Sequence, residues 1–235
     1  LRCDGPTQEL AEQVLADLEG GSAALVFSSG IAACTAPFHA LKRGEQALVS
    51  KTIYHGVLSF INEFAESWGI SIDYFETGHL QDLEKKLVKG KTRLVWLETP
   101  ANPSWVVTDL EAAAKLAHEA GALLAVDSTA ATPVLTRPLE LGADLVCHSA
   151  TKYLNGHSDV IAGFLAVREP SLEIWRRIRE HRKFGGAILG SMEAYLLIRR
   201  MKTLHLRVHR QCENAVQLAR FLERQEIVEK VHYPG

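Results

Sequence analysis

A chain of 235 residues that is 47% hydrophobic and 23% charged is long enough to bury one sizeable core. Its formal net charge of -2, without any Lys/Arg block, excludes the basic footprint of a nucleic-acid or membrane-surface binder and leaves a small molecule or a protein as partner. No apolar run approaches the ~20 residues of a bilayer span, and Leu1 to Gly5 carry no basic or apolar signal region, so the expected setting is cytoplasmic. Cys3, Cys34, Cys147 and Cys212 lie far apart without a CxxC pair, which predicts reduced, structural thiols.

Taken along the chain, Phe27 to Ala33 (FSSGIAA) reads as a Ser-Ser-Gly turn opening a helix. From residue 20 to residue 168, short β-rich apolar runs alternate with helical patterns. That alternation predicts an α/β fold with a mostly parallel sheet and helices on both faces. The predicted strands are Gln46 to Ser50, Ile70 to Phe75, Arg93 to Leu97, Leu123 to Val126, Asp144 to Cys147 and Val160 to Val167. The clearest helix is Leu110 to Ala120: Leu110, Ala113, Ala114 and Ala117 repeat at helical spacing, Thr108 with Glu111 forms a capping-box pattern, and Gly121 marks the stop. Beyond Arg168 only helices are predicted, at Leu172 to His181, Ser191 to Lys202 and Leu206 to Gln225. The closing His232 to Gly235 (HYPG) is a turn signal at which a linker into another domain is expected.

Three strands stop abruptly in polar groups, in LVWLETPANP (Leu94 to Pro103), LLAVDSTAATP (Leu123 to Pro133) and DLVCHSATKYLNGHSD (Asp144 to Asp159). Ligands of an open parallel sheet sit beyond the carboxyl ends of its strands, so these residues can converge. They offer Glu98 and Asn102, then Asp127 and Thr129, then Ser149, Thr151 and Lys152. Taken singly, Lys152 reads as a salt-bridge partner and Asp127 as a helix cap or a partner of Arg137. Together they suit pyridoxal 5′-phosphate. A lysine at the end of a buried strand has the lowered pKa that imine formation needs, and an aspartate can hold the protonated pyridine nitrogen. Gly30 at a helix start, with the hydroxyls of Ser149 and Thr151, offers donors to the phosphate, although Ser-Ser-Gly by itself is more often a plain turn. Tyr54 is either a ring stacked on the pyridine or an ordinary core residue.

These runs together resemble the pyridoxal-phosphate enzymes of cysteine and methionine metabolism, the transsulfuration group of cystathionine γ-synthase, cystathionine γ- and β-lyase and methionine γ-lyase. The carrying segments are HSATKYLNGHSD, ETPANP, AVDST, LEGG with SSGIAA, and PLELGADL. The resemblance implies the large domain of the aspartate-aminotransferase type (fold type I), with residues 1–235 as a fragment lacking the N-terminal arm and the C-terminal domain. By resemblance Lys152 carries the cofactor as a Schiff base, Asp127 holds the pyridine nitrogen, Tyr54 stacks on the ring and assists as acid or base, and Asn102 lies near the phenolic oxygen. Gly30, Ile31, Ser149 and Thr151 hold the phosphate. Arg2, in LRCDGPT, matches a family pattern that supplies a phosphate-binding arginine from a neighbouring subunit, which implies a homo-oligomer, a dimer or tetramer. Gly5 stands where that pattern has Asn.

The implied chemistry is elimination or replacement on a sulfur-containing or γ-substituted amino acid, of the cystathionine γ-synthase or γ-lyase kind, with cystathionine β-lyase or methionine γ-lyase as alternatives. His55 and Gly56 stand where methionine γ-lyases have a cysteine. A non-enzymatic alternative is a decayed fold that only binds. Other classes lack their parts: Gly156 to Val160 misses the last glycine of a hydrolase elbow, Gly185 to Ser191 has no phosphate-loop lysine, and His205 with His209 has no third metal ligand nearby.

Overall fold

The structure, a computed structural model, describes residues 5–234. Among them a single seven-stranded sheet carries helices on both faces. In chain order the elements are α1 (Pro6–Glu19), β1 (Ala23–Phe27), α2 (Gly30–His39), β2 (Gln46–Ser50), α3 (His55–Trp68), β3 (Ser71–Phe75), α4 (Leu80–Lys86) and β4 (Thr92–Glu98). There follow α5 (Leu110–Glu119), β5 (Leu123–Asp127), α6 (Thr132–Leu135), β6 (Leu145–His148), β7 (Gly163–Val167), α7 (Glu173–Gly185), α8 (Ser191–Met201) and α9 (Leu204–Leu222). The strands lie in the order β1-β7-β6-β5-β4-β2-β3.

Side chains alternate between the two faces with the period of two that a strand imposes. Along β4, Val95 and Leu97 enter a core formed with α1, α4, α5, α8 and α9, while Leu94 and Trp96 enter the opposite core, formed with α2, α3 and α7. Trp96 is fully buried there, its ring 5.3 Å from that of Phe38. Strands buried on both faces read as continuous apolar runs, which is why the central ones were visible in the sequence.

Every predicted strand is present, Gln46–Ser50 with its bounds unchanged and the others with bounds moved by one to a few residues, but not every strand is parallel. β7 runs antiparallel to both β6 and β1. The connection from Ser149 to Ala162 contains turns and no helix, and a parallel return needs a crossover of the kind that a helix supplies.

Two elements near the amino end, α1 and β1, fall outside the predicted list. On α1 the buried face includes Gln8 and Glu19 beside Ala11, Leu15 and Ala16, while Leu10 is exposed, so its apolar stripe is broken by polar residues. Gly20 ends this helix at φ 67°, in the left-handed region that favours glycine. β1 is an edge strand, and its open side is closed by side chains: Val26 N–H donates to Glu12 Oε1 (3.1 Å), and Arg182 Nη1 donates to Val26 O (2.9 Å). The cap of α5 is also corrected by one residue. Asp109, not Thr108, is its N-cap and accepts from Ala112 N–H (3.0 Å), while Thr108 N–H is taken by Thr99 Oγ1 (3.1 Å).

Candidate active site

Because β7 is the one reversed strand, the carboxyl ends of β1 to β6 and the amino end of β7 share one edge of the sheet. That edge gathers Ser29 and Gly30 after β1, Tyr54 after β2, Glu98 and Asn102 at β4, Asp127 and Thr129 at β5, and Ser149 to Lys152 after β6. Residues separated by more than a hundred positions are thereby brought together.

Asp127 is buried and held on both oxygens. Oδ1 accepts from Thr129 N–H (3.0 Å) and Thr129 Oγ1 (2.6 Å), and Oδ2 accepts from the thiol of Cys34 (3.5 Å). Arg137, the alternative partner, pairs with Glu140 instead (3.0 Å). Cys34 and Cys147, so distant in sequence, have their sulfurs 2.9 Å apart beside this carboxyl group. Their mutual hydrogen bond and burial push Cys34 well above the ordinary thiol range, and burial raises Cys147 too, so neutral thiols face Asp127.

Thr129 then connects Asp127 to the next strand, because Ser149 N–H donates to Thr129 Oγ1 (2.8 Å). Ser149 in turn lies against Gly30. A Cβ on Gly30 would fall 2.6 Å from Ser149 Oγ and 2.9 Å from its Cα, so only a glycine fits this approach. Ser29 caps α2, accepting from Ala32 N–H (3.2 Å), and the N–H groups of Gly30 and Ile31 in the first turn have no intrahelical acceptor. A hydroxyl and the start of a helix thus lie together in a cradle of the kind that suits an anion, joined by Thr129 to a buried acid. Thr129 was visible only as one more polar strand end, since a linking role depends on strand order.

Lys152 departs from its sequence reading. It is exposed, four residues beyond β6 in a turn where its N–H donates to Ser149 O (3.0 Å), so the expected burial is corrected: the chain has already left the sheet there. Tyr54 is exposed as well, which rules out the core alternative, and it precedes α3. Asn102 is exposed in the loop after β4. Glu98 holds both of these by their backbones, accepting from Tyr54 N–H at Oε2 (2.7 Å) and from Asn102 N–H at Oε1 (3.0 Å). Burial and then the neighbouring Asp127 push its carboxyl up to about 7. Thr151 Oγ1 donates to Ala162 O (3.1 Å) and accepts from Ala162 N–H (3.0 Å), which ties the turn to the start of β7. Arg2 lies outside the described residues.

An open, mostly parallel α/β sheet with polar side chains gathered along one carboxyl edge belongs to the class of folds in which small ligands sit beyond the ends of the strands. The chain belongs to the family described as Cys/Met metabolism PLP-dependent enzyme, whose model matches residues 1–235. It is 41% identical over 236 residues to an L-methionine gamma-lyase of Fusobacterium nucleatum subsp. nucleatum, covering 100% of this chain and 59% of that protein. It is also 41% identical, over 235 residues, to a Bacillus subtilis protein named cystathionine gamma-synthase/O-acetylhomoserine (thiol)-lyase, covering 100% of this chain and 62% of that one. Among solved structures, the cystathione gamma lyase from Micromonospora echinospora matches with a TM-score of 0.95 at 36% identity, covering 100% of this chain and 61% of that chain. The chain therefore spans about three fifths of the length of these relatives.

The donor set fits the family's cofactor. Pyridoxal phosphate presents an anion, a basic ring nitrogen and an aldehyde, and this edge offers the cradle that a Cβ on Gly30 would fill, a buried acid and a primary amine.

Proposed function

We propose that the chain forms the cofactor-binding part of a pyridoxal-phosphate enzyme that carries out elimination or replacement on a sulfur-containing or γ-substituted amino acid. The observation that carries this reading is the pair of hydrogen bonds that runs from Asp127 through Thr129 to Ser149, which itself lies in close contact with Gly30. This supports the reading because a buried acid, suited to a ring nitrogen, and a helix start with a hydroxyl, suited to a phosphate, are then joined through Thr129.

When bound, the cofactor supplies an electron sink for the carbanion at the substrate's α carbon. Asp127 would accept a hydrogen bond from the ring nitrogen and so favour its protonated form, because an acceptor there stabilises the charged state. The N–H groups of Gly30 and Ile31 and the hydroxyl of Ser149 would hold the phosphate. Thr151 reaches it only by releasing Ala162 O. Lys152 would be the amine that holds the cofactor, and its Nζ would carry protons to and from the substrate's α and β carbons. An exposed turn suits a side chain that must both attach and swing free. Tyr54 would stack on the ring and assist as an acid or base, and Asn102 would serve the phenolic oxygen.

Arg2 of a neighbouring subunit supplies a cation to the phosphate, so the working form is a homo-oligomer, acting in the cytoplasm. Cystathionine γ-synthase or γ-lyase chemistry is the favoured assignment, ahead of cystathionine β-lyase, methionine γ-lyase and a cofactor fold that only binds. The relatives at equal identity carry different activity names, so the choice rests on assay. The deciding experiment loads the protein with pyridoxal phosphate and offers cystathionine, methionine, cysteine, and an acylated homoserine with cysteine. A visible band that changes on substrate addition, with turnover of one or more of these, supports an enzyme. A loaded protein inert to all of them leaves the binding-protein reading.

A further inference from the structure

Glu98 has no role in the reading above, yet it is among the most constrained groups at the site. It ends β4 in register with Asp127 on β5 and is only 6% exposed. Its two oxygens serve two segments that are remote in sequence: Oε2 takes the N–H of Tyr54, at the entry to α3, and Oε1 takes the N–H of Asn102, in the loop after β4. A carboxylate is the side chain that meets this demand. Its two oxygens are both acceptors, whereas the equally long glutamine offers one acceptor and turns an NH₂ toward the second N–H.

The location is unfavourable for such a group. Burial and the proximity of Asp127 push the Glu98 carboxyl up to about 7.

From this geometry we infer that Glu98 is a positioning residue, one that fixes together the Tyr54 ring and the Asn102 side chain against the bound cofactor. The inference rests on the proposed cofactor reading. Glu98 itself touches no reacting atom; it acts through the two backbones that it holds. Both residues lie at segment entries whose own side chains are exposed, so their placement depends on where the backbone is tied.

The test uses the cofactor-loaded protein with Glu98→Gln, the pair Tyr54→Ala with Asn102→Ala, and the triple combination. Glu98→Gln is expected to raise the dissociation constant of pyridoxal phosphate about tenfold, equivalent to about 1.4 kcal/mol, and to reduce the visible circular dichroism of the bound cofactor. In the Tyr54→Ala, Asn102→Ala background the same substitution is expected to have no further effect on either readout, since a residue that acts through two others loses its influence when they are gone. A purely structural Glu98 gives the opposite result, an undiminished effect in that background, and overturns the inference, as does an unchanged dissociation constant. A measurement that needs no variant covers the case in which Glu98→Gln does not fold: hydrogen exchange at the Tyr54 and Asn102 amides of the wild type. Both are expected to be protected, and exchange of either at its unstructured rate overturns the inference. Failure of the wider reading looks different, because the wild type itself would then bind no pyridoxal phosphate.

Discussion

Gly30 and Ser149, separated by more than a hundred residues, approach so closely that a Cβ on the first would lie 2.6 Å from the hydroxyl of the second. The contact joins the start of α2 to the end of β6 and brings a helix N-terminus and a hydroxyl to one point. Gly30→Ala must push these two segments apart, since the next nearest atoms are Ser149 Cβ at 2.7 Å and Cα at 2.9 Å. We predict at least a tenfold rise in the pyridoxal-phosphate dissociation constant, about 1.4 kcal/mol, read by absorbance titration. Unaltered affinity would place the phosphate elsewhere.

Lys152 supports a second prediction. Its side chain is exposed, so Lys152→Ala is expected to change folding stability by no more than about 0.5 kcal/mol. The same substitution should leave no cofactor that borohydride can fix to the protein. Covalent fixation at another lysine, located by peptide mapping, would remove Lys152 from its proposed role.

How much of this was legible in the sequence differs from residue to residue. Asp127, Ser149 and Lys152 could be singled out because strands buried on both faces announce themselves as apolar runs, and polar residues at their ends stand out. The sharing of one edge could be argued from parallel order alone. The Asp127–Thr129–Ser149 connection could not, because it depends on β5 and β6 being neighbours in a particular register. The Cys34–Cys147 contact was hidden for the same reason: nothing local relates a residue of α2 to one of β6. Lys152 was misjudged as buried because the sequence shows where a strand's apolar run stops but not how far the following turn projects. On α1, Gln8 and Glu19 occupy buried positions and break the period of 3.6. Glu19 there meets the buried His148 at 2.6 Å, a pairing that no periodicity reveals.

Trp96 tests the core beneath the site. It is fully buried on β4 and packs at 5.3 Å against Phe38 of α2. Trp96→Ala is expected to cost about 3–5 kcal/mol through lost burial and the cavity left behind. Urea unfolding with an unchanged slope would read this directly. A loss below about 1 kcal/mol would mean that the surrounding layer collapses into the space, contrary to the close packing of such interiors.

The final prediction concerns pH and the other side of α2. His39, half-buried near the end of that helix, stacks on His181 of α7 with ring centres 3.9 Å apart and an interplanar angle of 19°, and lies 4.1 Å from the ring of Trp68. Burial, and then the facing charge of His181, lower its pKa from 6.5 to about 4, and burial lowers that of His181 too. A histidine whose folded pKa lies below its unfolded one binds its proton more readily after unfolding. Its contribution is therefore fully present above about pH 6.5 and is lost as the pH falls toward about 4. The pair is far from fully enclosed, so solvent screening reduces the effect below what the shift alone implies. His39→Phe keeps an aromatic ring at this position and removes the titrating group. Urea midpoints for both proteins, taken at about pH 7.5 and about pH 5, should show the larger fall for the wild type. If the two proteins lose stability in parallel over that interval, protonation of His39 is not coupled to the fold, and the acid sensitivity belongs to other groups.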